Sequence, residues 1–110
     1  MTLRGDLHLI ERLDHVTRLP DGTWLSGYWE LTEAERQAVR RVYLHRTKAE
    51  PAHFGGPVLR VLPASEFAEW AARHDTDPAD RWVLILQPDR AAKGVVWQGA
   101  SHVMAYKSLV

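Results

Sequence analysis

The chain has 110 residues, and its 14 basic and 14 acidic side chains leave no net charge. One domain must therefore hold both scaffold and site, and no long-range attraction to polyanions can be assumed from the whole chain, so any nucleic-acid affinity must be local. The composition, 45% hydrophobic and 25% charged, is that of a folded globular protein, and the absence of Cys rules out disulfides, thiolate metal sites and cysteine nucleophiles.

The first segment reads two ways: Leu7, Ile10 and Leu13 have helical spacing, while Leu7 and Leu9 alternate as on a strand. The turn signal Pro20-Asp21-Gly22 and the aromatic-rich run Thr23 to Trp29 favour a strand before the turn, paired with the run after it as a hairpin. MTLRGDLHLIERL contains no continuous apolar core, and no stretch approaches the roughly 20 apolar residues of a membrane span. The expectation is a cytoplasmic protein with no membrane partner.

Thr32 and Glu35 have the spacing of a capping box and predict a helix running to about Arg41, with Arg40 and Arg41 in its last turn facing the negative end of the helix dipole. Residues 41–45 and 57–62 read as strands, joined by a connection rich in charge, proline and glycine. Ser65 is placed to cap a second helix with Phe67, Trp70, Ala71 and His74 on one stripe. The loop His74 to Asp80 lacks the glycine and distal glutamate of an EF-hand. Arg81 to Gln87 is a continuous apolar run suited to a sheet centre, and Val95 to Trp97 and His102 to Lys107 complete the strands. The predicted fold is a single α+β domain over residues 1–110, a small strongly curved or barrel-like mixed β-sheet with two flanking helices.

Within the connection, His45, Thr47, Lys48 and Glu50 bring together a base, a hydroxyl, an amine and a carboxylate. Neighbours on a strand point to opposite faces, so adjacency alone does not assemble a catalytic set. The six histidines form no HExxH or comparable pair, which predicts no metal site and places most of them at surfaces or edges. Five Trp and three Tyr against two Phe supply flat apolar rings with a polar handle, suited either to the core or to a base-stacking pocket. Gly55-Gly56 belongs to no phosphate-loop pattern and marks a close backbone approach.

The stretch YLHRTKAEPAHFGGPVLRV, residues 43–61, resembles the central segment of EVE domains in the PUA-like superfamily, whose relatives include YTH and ASCH domains: a strand ending in an aromatic and His, a Glu-Pro, a Gly, then a second strand. Gly27 to Glu33 is similar to the Trp-bearing first strand and helix of those domains, and Arg81 to Lys107 to their last strands. The resemblance implies a PUA-like domain that binds RNA or DNA, or a nucleobase-like small molecule, without a cofactor. It implies stacking by Trp29, Tyr43 and Trp97, polar contacts from His45 and Glu50, phosphate contacts from Arg46 and Lys48, and a pocket wall shaped by Gly55 and Gly56. The alternatives are an ASCH-like amidohydrolase acting on a modified nucleoside through Thr47, Lys48 and Glu50, and a protein-interaction module with a solid aromatic core.

Overall fold

The computed structural model describes residues 4–11, 16–69, 79–100 and 105–110. Seven strands, β1 (Asp6–Ile10), β2 (Val16–Arg18), β3 (Trp24–Trp29), β4 (Arg41–His45), β5 (Phe54–Pro63), β6 (Trp82–Leu86) and β7 (Lys107–Leu109), form one mixed sheet in the order β2-β3-β6-β5-β4-β1-β7. All neighbours are antiparallel except β1 and β4. Among the described residues the sheet is open, with β2 and β7 at its edges, so the mixed α+β sheet is as expected while a closed barrel is not formed.

Strand β5 holds the two halves together. Its first residues pair with β4, and Val58 to Pro63 pair with β6. Gly56 lies at the changeover with φ +155°, and a Cβ there would stand 2.0 Å from the Gln87 carbonyl oxygen, so the backbone of residues 87–89 can approach only a glycine.

The hairpin around Pro20-Asp21-Gly22 is formed by β2 and β3, with Asp21 accepting from the Thr23 N–H (3.0 Å). Its first arm is residues 16–18. Residues 7–10 pair instead with β4, and residues 7–9 also with β7, a division that the mixed apolar and charged spacing of residues 7–19 does not mark.

The capping box forms: Glu35 N–H donates to Thr32 Oγ1 (3.1 Å), and Thr32 N–H donates to Glu35 Oε1 (2.8 Å). The helix α1 (Glu33–Ala38) stops three residues short of Arg41, because Val39 turns extended to enter the core and Arg41 opens β4. Arg40 still serves the helix end, donating to the carbonyls of Gln37 (2.9 Å) and Val39 (3.1 Å). No residue of α1 is buried, so polar contacts dock it: the Glu35–Lys107 ion pair (2.8 Å) and the Arg36 guanidinium 4.0 Å above the Trp82 ring.

Two flanking helices are not found among the described residues. Ala64–Phe67 forms a 3-10 turn after Pro63, so Ser65 is not a cap; Trp70, Ala71 and His74 lie outside the described residues. Val95 to Trp97 is not a strand: it follows the 3-10 turn Arg90–Ala92 and crosses the face of the sheet as irregular chain. Residues 102–104 also lie outside the described residues.

Alternation sorts the side chains. Leu7, Leu9, Val42, Leu44, Leu84 and Leu86 meet Trp29, Leu31 and Val39 in the main core, each buried side chain contributing about 1.5–3 kcal/mol. Leu25, Tyr28, Val83 and Ile85 bury the other face of β3 and β6 under Ala64. The remaining face, that of β1 and β4 opposite the leucines, is different in kind. It carries His8, Tyr43 and His45.

Candidate functional site

The parallel pairing of β1 with β4 sets His8 opposite Tyr43, and the antiparallel pairing with β7 sets it opposite Ser108. The leucines flanking each imidazole face the main core, which directs His8, Tyr43 and His45 to one side. His8 and His45 are 1% and 0% exposed, so these two are not the surface or edge residues expected of most histidines; His53 is half-buried, and His15, His74 and His102 lie outside the described residues.

His8 Nδ1 and His45 Nε2 are 2.9 Å apart, and His45 Nδ1 is 3.0 Å from the Glu50 carbonyl oxygen. A carbonyl only accepts, so His45 Nδ1 carries a proton. Neutral His45 then has its lone pair on Nε2, and His8 must donate from Nδ1. The result is a directed chain, His8 to His45 to Glu50, with both rings neutral. Burial and the neighbouring His45 push the His8 pKa from 6.5 down to about 4, with Arg4 acting in the same direction and Asp6 against it. Burial also lowers that of His45, opposed by its bond to Glu50.

The rings lie in an aromatic box. His8 stacks on Tyr43 at 5.0 Å and 25°, and Trp97 closes over both imidazoles at 5.7 Å and 5.2 Å from the ring centres of His8 and His45. Trp97 belongs to a strap, residues 93–100, that crosses this face. Gly94 N–H donates to the Ala52 carbonyl, Ala52 N–H donates to the Val95 carbonyl, and Ala100 N–H donates to Ser108 Oγ (2.9 Å). Gly55 admits the start of the strap: a Cβ there would stand 2.2 Å from the Val42 carbonyl oxygen and 3.1 Å from Ala92.

The structure brings some of the predicted site residues together and separates others. Tyr43, His45 and Trp97 meet, joined by His8. Trp29 is 7% exposed in the main core on the opposite side of the sheet, with its indole N–H on Ser26 (3.0 Å), so the three expected stacking rings do not line one pocket. Glu50 supports His45 through its carbonyl while its carboxylate is exposed, accepting from Thr47 Oγ1 (3.3 Å) in a local turn. Arg46 is exposed and Lys48 half-buried beyond the end of β4. Arg41 is drawn away to Asp89. Among the described residues no group of three or more His, Asp or Glu side chains could hold a metal.

An open cleft of about 380 Å³ lies along β5, lined by Phe54, Gly55, Pro88, Asp89, Arg90 and Lys93. Hydrogen bonds from Ala91 N–H and Arg41 hold the Asp89 carboxyl below the usual carboxylate range, and the Arg41–Asp89 pair (2.5 Å) cancels its charge. Arg90 and Lys93 are exposed and form no ion pair among the described residues, so the cleft has positive character in a chain of zero net charge. Phe54 contributes a ring that meets Trp24 at 5.3 Å. Of the predicted site residues only Gly55 lines this cleft.

Sequence reasoning missed His8, Phe54, Arg90 and Lys93. For His8 the signal was present as Leu-His-Leu in one strand and Tyr-Leu-His in another, each with a histidine on the face opposite a leucine. No protein-family model matches the chain, and no curated protein or solved structure is significantly similar to it.

Proposed function

We propose that this domain is a binding module for a nucleic-acid component, with the ligand seated in the cleft beside β5. The single observation that carries the reading is the lining: Arg90 and Lys93, which form no ion pair among the described residues, beside Phe54, whose ring also packs on Trp24 and the main core, with the Asp89 carboxylate already neutralised by Arg41. A flat base needs an apolar face and a phosphate needs local positive charge, and this cleft offers both. The buried aromatics Trp29 and Tyr43 act in it as scaffold.

The test is a titration of adenosine monophosphate and of short single-stranded RNA and DNA at low and moderate salt, for the wild type and for Phe54→Ala, Arg90→Ala and Lys93→Ala. Loss of a stacking partner costs roughly 1–3 kcal/mol, so Phe54→Ala should weaken binding by about tenfold or more. Each cation variant should weaken binding and flatten its salt dependence by about one phosphate contact. Absence of binding at low salt, or binding that all three variants leave unchanged, would remove the proposal.

A further inference from the structure

One run of chain does two things. Residues 88–93 supply Pro88, Asp89, Arg90 and Lys93 to the cleft, and the run continues as the strap that lays Trp97 across the histidine pair. We propose that the His8–His45 pair is a proton-operated latch: protonation of the pair releases the strap from the polar face of β1 and β4 and withdraws Lys93 from the cleft. The effect on the cleft rests on the function proposed above; the release of the strap does not.

The geometry carries the argument. In the neutral pair every ring hydrogen described above has an acceptor. One added proton, on His8 Nε2, leaves the chain of donors intact but puts a full charge in a dry box. A second, on His45 Nε2, sets two N–H donors 2.9 Å apart with nothing between them to accept. Both charged states need water, and a buried imidazolium is stable only where charge or hydrogen bonding compensates it.

Among the described residues little around the pair supplies that compensation. The buried Glu11, whose N–H donates to the His45 carbonyl, and His53, whose N–H donates to the Leu44 carbonyl, lie nearby, but neither is among the groups that shift the two rings. On β1, Asp6 favours the charged ring and Arg4 opposes it. Strand β4 presents the Tyr43 ring, β7 sets Ser108 in register, the Glu50 segment offers a carbonyl already in use, and the strap presents the uncharged indole of Trp97. Lys107 is turned to Glu35. Separating β1 from β4 would tear a ladder and the leucine core behind it. The strap is held by the Ala52 and Ser108 bonds, by Val95 against Tyr43, Ala52 and Ala92, and by an exposed bond from Arg4 to Gln98. Lifting it is the less costly way to admit water.

The experiment is residue-resolved hydrogen exchange against pH, expressed as protection factors, for the wild type and for His8→Gln, whose amide keeps a donor for His45 but does not titrate. In the wild type, protection of Gly94 and Ala100 should fall by about tenfold per pH unit from 6.5 towards about 4 while amides of β3 and β6 hold. His8→Gln should reduce that slope to what His45, still buried, contributes alone. A flat wild-type profile, an equal slope in His8→Gln, or β3 and β6 falling in step would each overturn the latch. Should His8→Gln not fold, imidazole nitrogen shifts in the wild type decide: rings that titrate together with the loss of strap protection support it, and rings that titrate under an unchanged strap refute it. Adenosine monophosphate separates the two proposals. Binding lost with acid more steeply in the wild type than in His8→Gln supports both; strap release in a protein that never binds the nucleotide supports the latch and removes the cleft reading.

Discussion

Replacing His8 by Gln should change how global stability responds to acid, and the size of the change follows from the burial of one ring. His8 is 1% exposed, and its pKa falls from 6.5 in the unfolded chain to about 4 in the fold. The native state therefore binds fewer protons than the unfolded state in this window. The stability contributed by the neutral ring is complete above pH 6.5 and is lost as pH falls towards 4. At about 1.4 kcal/mol per pH unit, the displacement amounts to about 3 kcal/mol for the closed protein. If the strap lifts, the ring titrates in water, and the loss stops at the free energy of lifting. Urea unfolding across this range measures both quantities as the difference between wild type and His8→Gln, which removes the carboxylates common to the two. The wild type should lose between one and three kcal/mol relative to the variant, roughly, and the plateau gives the cost of opening the strap. A difference that stays constant from neutral pH to about pH 4 would refute the reasoning, because His8 would then titrate alike in both states.

Gly55→Ala should destabilise the fold by about 2 kcal/mol or more, since the new Cβ meets the Val42 carbonyl oxygen at 2.2 Å and Ala92 at 3.1 Å and both are backbone or short side chain; the urea midpoint checks it. Thr32→Ala removes one side of the capping box and should cost about 1 kcal/mol by the same assay, without altering nucleotide binding, because α1 lines no part of the cleft.

The features legible in the sequence were those set by neighbours in the chain. Strand β4 falls at the residues expected, since a run of Arg-Val-Tyr-Leu-His has little choice once Val39 must enter the core, and the capping box is a contact between residues three apart. Arg40 finds the helix carbonyls even though the helix ends early. What could not be read depends on distant partners. The alternation of residues 7–10 is compatible with a hairpin arm, and only the register with β4 on one side and β7 on the other makes it an inner strand. Val95 to Trp97 has strand-forming residues, but they lie across the face of the sheet, Val95 on Tyr43, Ala52 and Ala92 and Trp97 against the two imidazoles. The histidine pair was hidden for the same reason, as His8 and His45 are neighbours only through the register of β1 with β4. A Trp before a helix suits a pocket and a core equally, and the Ser26 hydroxyl that satisfies its indole lets Trp29 sit in the core.

The pairing of β1 with β7 also sets a limit on how this chain can be made. Residues 7–9 and 107–109 lie in adjacent strands, so the sheet and the far anchor of the strap at Ser108 are completed only after the roughly one hundred residues between them have been synthesised. Contacts of such long sequence separation place folding in the slow, milliseconds-to-seconds regime of β-rich domains, and until β7 docks, β1 presents an unpaired edge beside an uncovered histidine face. The interval between synthesis and closure is therefore when this protein is most exposed to mispairing, and a chaperone or rapid docking of β7 would shorten it.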